Sequence, residues 1–256
     1  MPWRKTRNPY RILVSEVMLQ QTQVERVIPF YLRFTKRFPT IRSLARASLS
    51  DVLRAWQGLG YNRRAKMLHE AANIVIEKYG GKFPRKIKQL EKLPGVGPYT
   101  ARAVAAFAFN QDCILVETNI RTVMMSEFLA YRSKIRTKGK RKISDVEIGK
   151  ILARVLPKGK ARTWYSALMD YGAHLKRSGV RLNATSAHYT KQAKFAGSAR
   201  EARGMILRTL LTKPVSGILL TKTLGASRIP QMRKALAALI QEGLVIRTRK
   251  KFSLSH

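Results

Sequence analysis

One stretch of the sequence places a lone carboxylate among apolar residues. Glu16 lies in residues 15–24, Ser-Glu-Val-Met-Leu-Gln-Gln-Thr-Gln-Val, whose first half is otherwise mostly apolar. Apolar surroundings raise the pKa of a carboxyl group because they disfavour the ionised form, and a raised pKa suits a general acid. The glutamines that follow carry amides that hydrogen-bond and stack flat, which is useful for entering a base stack. An ordinary polar helix face is the alternative that composition alone favours.

A glycine-rich turn, Leu-Pro-Gly-Val-Gly-Pro-Tyr-Thr-Ala, occupies residues 93–101. The pattern predicts a short charged helix over 86–92 and an apolar, alanine-rich helix over 99–109, so the turn joins two helices into a hairpin. Its glycines permit positive φ and close approach of another backbone, and the valine between them can fill the gap between the helices.

The same turn can bind an anion. Pro98 suits the first turn of the second helix, where a missing N–H has no cost. The free N–H groups of that turn lie at the positive end of the helix dipole, so a DNA phosphate can dock there. A plain helical corner without a ligand is the alternative. The predicted phosphate-binding residues are Gly95, Val96, Gly97 and Thr100.

The charge of the chain indicates a polyanionic partner. The 256 residues include 51 Lys and Arg against 14 Asp and Glu, a net charge of +37. Such a surface repels itself unless it meets a polyanion, and nucleic acid is the leading candidate. An anionic membrane surface is the rival, although no apolar run approaches the ~20 residues of a membrane-spanning helix. Residues 1–4 show no signal peptide. We therefore expect a cytoplasmic, nucleoid-associated protein.

Metal and disulfide chemistry is not expected. The single cysteine, Cys113, excludes an intrachain disulfide and any all-cysteine cluster. The four histidines are scattered and offer no zinc-ligand spacing. The sequence therefore predicts no metal site and no cofactor.

The chain divides into three parts. Residues 1–177 show helical patterns and no strand series, which predicts an all-α core. Residues 178–197 are polar, basic and poorly periodic, as in a linker. Residues 198–256 read as three helices followed by a short hairpin with a basic turn, the pattern of a winged-helix-like module. Auxiliary DNA contact is the first interpretation of this module, and protein docking is the second.

Local signals place several helix ends within the core. Pro29 predicts a helix boundary or the start of a new helix. Thr40 and Ser48 read as N-caps, and Gly80 follows a helix over 63–79. The very basic residues 132–142 predict a solvated loop that adds phosphate affinity.

Five motifs together resemble those of the helix-hairpin-helix DNA glycosylases, and most closely the adenine DNA glycosylases of the MutY type. They occur in the family's order and spacing, and the resemblance covers roughly residues 2–175. It implies an all-α core of two lobes with the active site in the cleft between them. The motifs are PWR at 2–4, NPY at 8–10, SEVMLQQTQV at 15–24, GLGY at 58–61 and LPGVGPYTA at 93–101.

The resemblance implies four catalytic residues. Glu16 matches the acid that protonates the departing adenine, and Glu117 lies where a second carboxylate stabilises the oxocarbenium-like transition state. Asn119 matches an asparagine that orders the catalytic water or the sugar. Tyr99 lies where bifunctional relatives keep a Schiff-base lysine. A phenol cannot form an imine, so the resemblance implies a monofunctional enzyme without lyase activity.

The resemblance also implies contacts to the extruded base and to the base stack. Gln21 and Tyr61 match residues that wedge into the stack as adenine flips out. Trp3, Arg4 and Val24 match the walls of the adenine pocket.

The sequence departs from the family in four ways. Position 117 carries Glu instead of Asp; Asp is the better N-cap, and the extra methylene moves the charge. The cysteines of the family's iron–sulfur cluster are missing. The Nudix-like domain that reads 8-oxoguanine is missing as well, which leaves the opposite-base preference open. The family has a helix before its Leu-Pro-Trp motif, whereas this sequence begins at Met1; either that helix is absent or an upstream start was missed.

The combined interpretation is a monomeric base-excision-repair glycosylase acting on double-stranded DNA with a mismatch or an oxidised base. It should hydrolyse the N-glycosidic bond of adenine mispaired with 8-oxoguanine or guanine. A thymine or uracil mismatch glycosylase is one alternative. A catalytically decayed DNA-binding protein on the same scaffold is the other.

Overall fold

The computed structural model describes residues 1–129, 142–180, 182, 186–187, 195, 197–224 and 228–255. The predicted basic loop at 132–142 lies outside the described residues except for its last member, and the predicted linker is described only in part. A 3-10 turn at Pro2–Lys5 precedes the first helix. The core helices are α1 Pro9–Leu19, α2 Val24–Arg37, α3 Ile41–Ala45, α4 Leu49–Trp56, α5 Arg63–Tyr79, α6 Ile87–Leu90, α7 Pro98–Phe109, α8 Thr118–Val123, α9 Asp145–Val155 and α10 Ala161–Arg177.

Several helix ends lie where local side-chain chemistry predicts them. Thr40 forms a capping box with Ser43 at the start of α3, and Ser48 accepts the backbone N–H of Asp51 at the start of α4. Gly80 takes the left-handed conformation after α5. These three predictions are confirmed because a cap depends only on residues a few positions apart.

The prediction for Pro29 is wrong. Pro29 lies inside α2, and the break between the first two helices falls at residues 20–23. Pro29 cannot donate to the carbonyl of Glu25, one turn earlier, but Glu25 is exposed and water can satisfy that carbonyl.

The core has two lobes. In one lobe α5 packs against α3 and α4, and α2 packs against α4. In the other, α8 lies along α10, while α1 and α7 run between the two groups. Arg162 of α10 holds the N-terminal segment in place by donating to the carbonyl oxygens of Arg4 at 3.0 Å, Thr6 at 2.8 Å and Phe107 at 2.8 Å. The predicted all-α, two-lobed core is confirmed.

The C-terminal module is a winged helix with one strand more than the sequence pattern predicted. It contains α11 Ala199–Leu210, β1 Val215–Ser216, α12 Gly217–Leu224, α13 Ile229–Gln241, β2 Val245–Thr248 and β3 Lys251–Leu254. The strands form an antiparallel sheet in the order β1-β3-β2, with β1 pairing across Phe252 and Lys251. The extra strand is only two residues long, too short to show the alternation of apolar and polar residues by which a strand is recognised in a sequence.

Polar contacts join this module to the lobe that contains α4 and α5. The ammonium of Lys66 on α5 donates to the carbonyl of Glu242 at 2.5 Å, and Arg203 of α11 pairs with both carboxylate oxygens of Glu242. Arg54 of α4 lies 3.5 Å from the carbonyl of Leu211. The module is therefore docked against the core rather than tethered at a distance.

Among the described helices, none is both long enough and apolar enough to cross a membrane.

Candidate active site

A cavity of about 1180 Å³ opens between the lobes. Residues of α1, α7, α8 and α10 border it, together with the starts of α2 and α9, the N-terminal segment and residues 20–23. The chain thereby brings together residues that the sequence separates widely. The predicted site residues that line it are Trp3, Arg4, Glu16, Gln21, Val24, Tyr99, Glu117 and Asn119.

Glu16 presents a buried carboxyl group to this cavity. It lies on the apolar helix α1 and is 7% exposed. Burial raises its pKa to about 7, a rise opposed by a hydrogen bond from the Tyr99 hydroxyl and increased by the charge of Glu117. A carboxyl group with this pKa is substantially protonated near neutral pH and can donate a proton.

Tyr99 lies in the first turn of α7, directly after Pro98, and its hydroxyl faces Glu16. Burial and the two nearby carboxylates raise the pKa of this phenol well above its ordinary value. Tyr99 therefore stays protonated and acts as a hydrogen-bond donor, not as a nucleophile.

Glu117 is the second acidic residue of the site, and it caps α8. Its Oε1 accepts the backbone N–H groups of Asn119 at 2.7 Å and Ile120 at 2.9 Å. Burial raises the pKa of the carboxyl group, while those N–H groups and Lys176 oppose the rise. Asp is the better N-cap in general, but here the longer side chain of Glu117 reaches both donors.

Lys176, near the end of α10, brings a cation to this acidic site. Its ammonium donates to Oδ1 of Asn119 at 2.7 Å, and its charge also acts on Glu117. Burial lowers the pKa of Lys176, and Glu117 opposes that effect. Because the Asn119 oxygen accepts from Lys176, the amide NH₂ group of Asn119 is directed elsewhere and can serve as a donor. Lys176 is not predicted from the sequence, since basic residues are common throughout this chain.

Gly172 sets the distance between α8 and α10. A Cβ atom at this position would lie 2.3 Å from the carbonyl oxygen of Asn119. Only glycine allows this approach, and the approach brings Lys176, one turn further along α10, to Asn119. A glycine inside a helix is unfavourable by itself, so Gly172 could have been recognised from the sequence as a site of close helix packing.

The three residues predicted to form the pocket wall differ in how they are held. Trp3 is 6% exposed and packs edge-on against Tyr31, with ring centroids 5.3 Å apart, so it belongs to the core as well as to the cavity wall. Arg4 donates to the carbonyl of Ser166 at 3.0 Å and pairs with Asp170. Val24 begins α2 and lines the cavity.

The predicted hairpin is present, with α6 and α7 as its helices. Gly95 has a φ of +73°, as expected, and a Cβ there would lie 2.9 Å from the side chain of Met67, whereas the expected close approach was that of another backbone. Val96 is buried. Gly97 precedes α7, which has no side-chain cap, so its first N–H groups are left to another acceptor. Thr100 is only 3% exposed and lies 3.4 Å from the Gln20 amide, so its hydroxyl does not face solvent.

Gln21 and Tyr61, the predicted wedge residues, share an uncommon backbone conformation. Their φ angles are +57° and +50°, in the left-handed region that residues with a Cβ seldom occupy. Such strain persists only where the surroundings enforce it, and it is frequent at functional sites. Gln21 lines the interlobe cavity, whereas Tyr61 lies on the far side of the segment 21–23.

Arg64 fixes the segments that carry both wedge residues. Its buried guanidinium donates to the carbonyls of Val17 and Met18 at 2.9 Å each and also to that of Gln20, at the end of α1. It further donates to Gly60, next to Tyr61, at 3.1 Å, and it lies over the Tyr61 ring. Arg64 is not predicted from the sequence. Its position at the start of α5 is unfavourable for a cation because of the helix dipole, and this could have marked Arg64 as a residue held by other contacts.

In the part of the chain that the structure describes, no group of three or more His, Cys, Asp or Glu side chains could hold a metal ion. Cys113 is half-buried, and its sulfur lies 3.5 Å from the carbonyl of Arg102.

A helical hairpin beside a cavity that holds one buried and one half-buried carboxyl group is an arrangement suited to DNA base chemistry. The family model for HhH-GPD superfamily base excision DNA repair proteins matches residues 14–146. The chain belongs to this superfamily. The match contains Glu16 and the second half of its helix, the hairpin and α8, and thus most of the residues described above.

Individual relatives and structures agree with this assignment. An adenine DNA glycosylase of Mycolicibacterium smegmatis is 35% identical, over 97% of this chain and 88% of that protein. One from Buchnera aphidicola is 38% identical, over 68% of this chain and 47% of that protein. A thermostable thymine-DNA glycosylase structure superposes with a TM-score of 0.57 and 29% identity, over 74% of this chain and 88% of that one. A trapped endonuclease III–DNA intermediate gives 0.55 and 25%, over 66% and 76%.

The close approach at Gly172 leads to a stability prediction. In Gly172→Ala the added methyl group must displace the Asn119 carbonyl, and overpacking of this kind costs about 1–3 kcal/mol. We expect the free energy of unfolding, measured by urea denaturation, to fall by that amount. Gly204→Ala is the matched control. A Cβ there meets nothing within 4 Å, so this variant should gain about 0.4–1 kcal/mol. Equal effects at the two helical glycines would contradict the packing argument.

Proposed function

We propose that this protein is a monofunctional adenine DNA glycosylase that excises adenine mispaired with 8-oxoguanine or guanine. The observation that carries the proposal is the buried Glu16 carboxyl group facing a cavity that also holds Glu117 and Tyr99. The names of the relatives support adenine as the base. The specified opposite base rests on the resemblance of the motifs alone.

The proposed chemistry gives the two acidic residues different roles, because their environments differ. Glu16, with a pKa of about 7, protonates the adenine and makes it a better leaving group. Glu117, held by two backbone N–H groups and near Lys176, is the carboxylate that stabilises the positive charge developing on the sugar. Asn119 directs its NH₂ group to the incoming water or the sugar. Hydrolysis then leaves an abasic site and free adenine.

The site lacks what lyase chemistry needs. Tyr99 carries a phenol that hydrogen-bonds to Glu16, and a phenol forms no Schiff base. Lys176 is the amine within the cavity, but its ammonium is engaged by Asn119 and Glu117. We therefore propose that excision occurs without strand cleavage.

No cofactor takes part in this proposal. An iron–sulfur cluster of the all-cysteine type requires four thiolates, and this chain has one cysteine, Cys113. The residues present do not fit such a group, and no step is assigned to one.

Double-stranded DNA is the proposed partner of a monomeric protein, with the chromosome in the cytoplasm as its place of action. The uncapped N-terminus of α7 would take a phosphate through its backbone, with the open space beside Gly97 leaving room for the DNA. Gln21 and Tyr61 would enter the stack as adenine leaves it, and Trp3, Arg4 and Val24 would enclose the extruded base. The net charge of +37 supports strong, salt-dependent affinity.

The substrate is tested by single-turnover excision on duplexes that contain A:8-oxoguanine, A:G, T:G or U:G pairs. We expect release of adenine from the first two duplexes and no borohydride-trapped complex with any of them. Excision confined to T:G or U:G would identify a mismatch-pyrimidine enzyme instead, and a trapped complex would refute the monofunctional assignment.

The pKa of Glu16 leads to a pH prediction. A general acid works in its protonated form, so the single-turnover rate constant should fall about tenfold per pH unit above about 7. On the acid side the rate should fall as Glu117 becomes protonated, since its pKa is also raised. Glu16→Gln, which cannot donate a proton in this way, should lower the rate to near background. A rate independent of pH between 6 and 9 would argue against Glu16 as the acid.

Glu117→Asp distinguishes a rebuilt site from a decayed one. The wild-type carboxylate reaches two N–H groups of α8 through its extra methylene, so shortening it should misplace the charge. A misplacement near 1 Å costs roughly 10²-fold in rate, and we expect a loss of that order in single-turnover excision. A large gain from a near-zero baseline would instead indicate a scaffold whose activity has decayed.

A further inference from the structure

Lys176 brings a positive charge into a site whose proposed chemistry generates one. Its half-buried side chain extends from α10 into the interlobe cavity, which Glu16, Tyr99, Glu117 and Asn119 also line. An ammonium group near a sugar that becomes cationic raises the free energy of the transition state, because like charges repel. Burial is also unfavourable for this ammonium and lowers its pKa. A lysine at this place therefore needs a compensating role.

The packing of two helices brings this ammonium to Asn119. At Gly172 the helix α10 comes so close to α8 that a Cβ would lie 2.3 Å from the Asn119 carbonyl oxygen. One turn further along α10, the Lys176 ammonium donates to Oδ1 of Asn119 at 2.7 Å. A glycine in a helix interior reduces helix stability, so this contact is formed at a cost to α10. It is not the chance contact of a free surface side chain.

Asn119 lies between this cation and the second carboxyl group. Its backbone N–H donates to Oε1 of Glu117 at 2.7 Å, while its side-chain oxygen accepts from Lys176. The two ends of an amide side chain have nearly the same shape, but one accepts hydrogen bonds and the other donates them. A cation can only donate, so it selects the orientation with the oxygen toward Lys176. An apolar side chain at position 176 would leave both orientations open.

Charged and titratable groups reach Glu117 from four helices. Glu16 of α1 and Tyr99 of α7 share the cavity with it, and a negative charge on Glu16 opposes a negative charge on Glu117. Two cations act in the opposite direction, Arg121 of α8 and Lys176 of α10. Because burial favours the neutral carboxyl group, the charge of Glu117 depends on these cations and on the N-terminus of α8.

The two cations are not equivalent. The guanidinium of Arg121 donates to both carboxylate oxygens of Asp145, at 2.6 and 2.9 Å, so Asp145 offsets much of its charge. Lys176 donates to a neutral amide oxygen, which leaves its charge to act on Glu117. Lys176 also lowers the pKa of Glu117 more than Arg121 does. Removal of the Lys176 charge should therefore raise that pKa.

We propose that Lys176 is a positioning residue, which holds the amide of Asn119 in one orientation and keeps Glu117 ionised beside the second carboxyl group of the cavity. The proposal rests on the proposed function for the roles of Asn119 and Glu117 in the reaction. The ionisation of Glu117 is a separate property that binding alone can measure.

The binding test compares two duplexes. One carries a pyrrolidine abasic analogue, which is a cation, and the other carries a neutral tetrahydrofuran analogue at the same position. The parent protein is Glu16→Gln, so that Glu117 is the one of the two carboxyl groups that titrates. We expect this parent to bind the cationic duplex roughly tenfold more tightly while Glu117 is ionised. The preference should disappear as the pH falls through the pKa of Glu117.

Variants of position 176 in this parent separate charge from shape. Lys176→Met should move the midpoint of that loss to higher pH by about one unit, because an opposite charge nearby lowers a carboxyl pKa by at least that much. Lys176→Gln, which is also neutral, should give the same shift. Lys176→Arg retains the charge and should retain the parent's midpoint. A purely structural role would weaken binding of both duplexes alike and leave the midpoint in place.

A matched control removes a charge elsewhere. Arg154 is exposed on α9 and does not line the cavity, so Arg154→Met should leave the midpoint unchanged. An unmoved midpoint in both neutral variants of Lys176, or an equal shift in Arg154→Met, would overturn the proposal. A parent without any preference for the cationic duplex would overturn it as well, since Glu117 would then place no charge at the sugar.

The orientation of Asn119 is tested by single-turnover excision in proteins that retain Glu16. At a pH where Glu117 is ionised in every variant, Lys176→Met should excise adenine about tenfold more slowly than wild type, because the loss of the fixed amide outweighs the relief of charge repulsion. Lys176→Arg should restore the rate. Equal rates in Lys176→Met and wild type would overturn the role in orienting Asn119. A shifted midpoint in binding, with no adenine release by the wild-type protein, would refute the proposed function alone.

Discussion

The site depends on holding the carboxyl group of Glu16 out of water while a second carboxyl group, that of Glu117, lies in the same cavity. Two ionised carboxylates this close would repel each other, so each needs its own environment. Glu16 has the apolar face of α1 and a phenol as its donor. Burial raises the pKa of Glu117 as well, but the N-terminus of α8 and the nearby ammonium of Lys176 favour its ionised form and oppose that rise. In the proposed mechanism these separate environments would make Glu16 the acid and Glu117 the charge stabiliser.

Those two environments require helices that meet at fixed distances. The donor to Glu16 comes from the hairpin, because Tyr99 lies in the first turn of α7. The cation near Glu117 comes from α10, and Gly172 determines how near that helix can lie. The hairpin thus has two functions in the proposed enzyme: its backbone would bind phosphate on the outside, while its tyrosine orients the acid within. A change in the hairpin would alter DNA affinity and proton transfer together.

The sequence predicted what is local and missed what is brought together by folding. The caps at Thr40 and Ser48, the end of α5 and the hairpin of the wing are determined by residues a few positions apart, and all were predicted. The prediction for Pro29 was wrong because the carbonyl of Glu25, which loses its helical hydrogen bond to Pro29, faces solvent and can bind water. Arg64 and Lys176 escaped notice because their partners lie 47 and 57 positions away. The proposed catalytic residues come from the resemblance of whole motifs, since a lone glutamate does not distinguish an acid from a polar helix face.

Arg64 connects the chemistry of the core to the position of the C-terminal module. Arg64 donates to the Met18 carbonyl at the end of α1 and so fixes the residues after Glu16. It also donates to the Gly60 carbonyl and so fixes the segment that carries Tyr61. Tyr61 in turn accepts a hydrogen bond from Arg200 of the module. A continuous set of contacts therefore runs from the acid, past both strained wedge residues, to the winged helix. Because these contacts are short and partly buried, the module and the acid are held in one fixed relation.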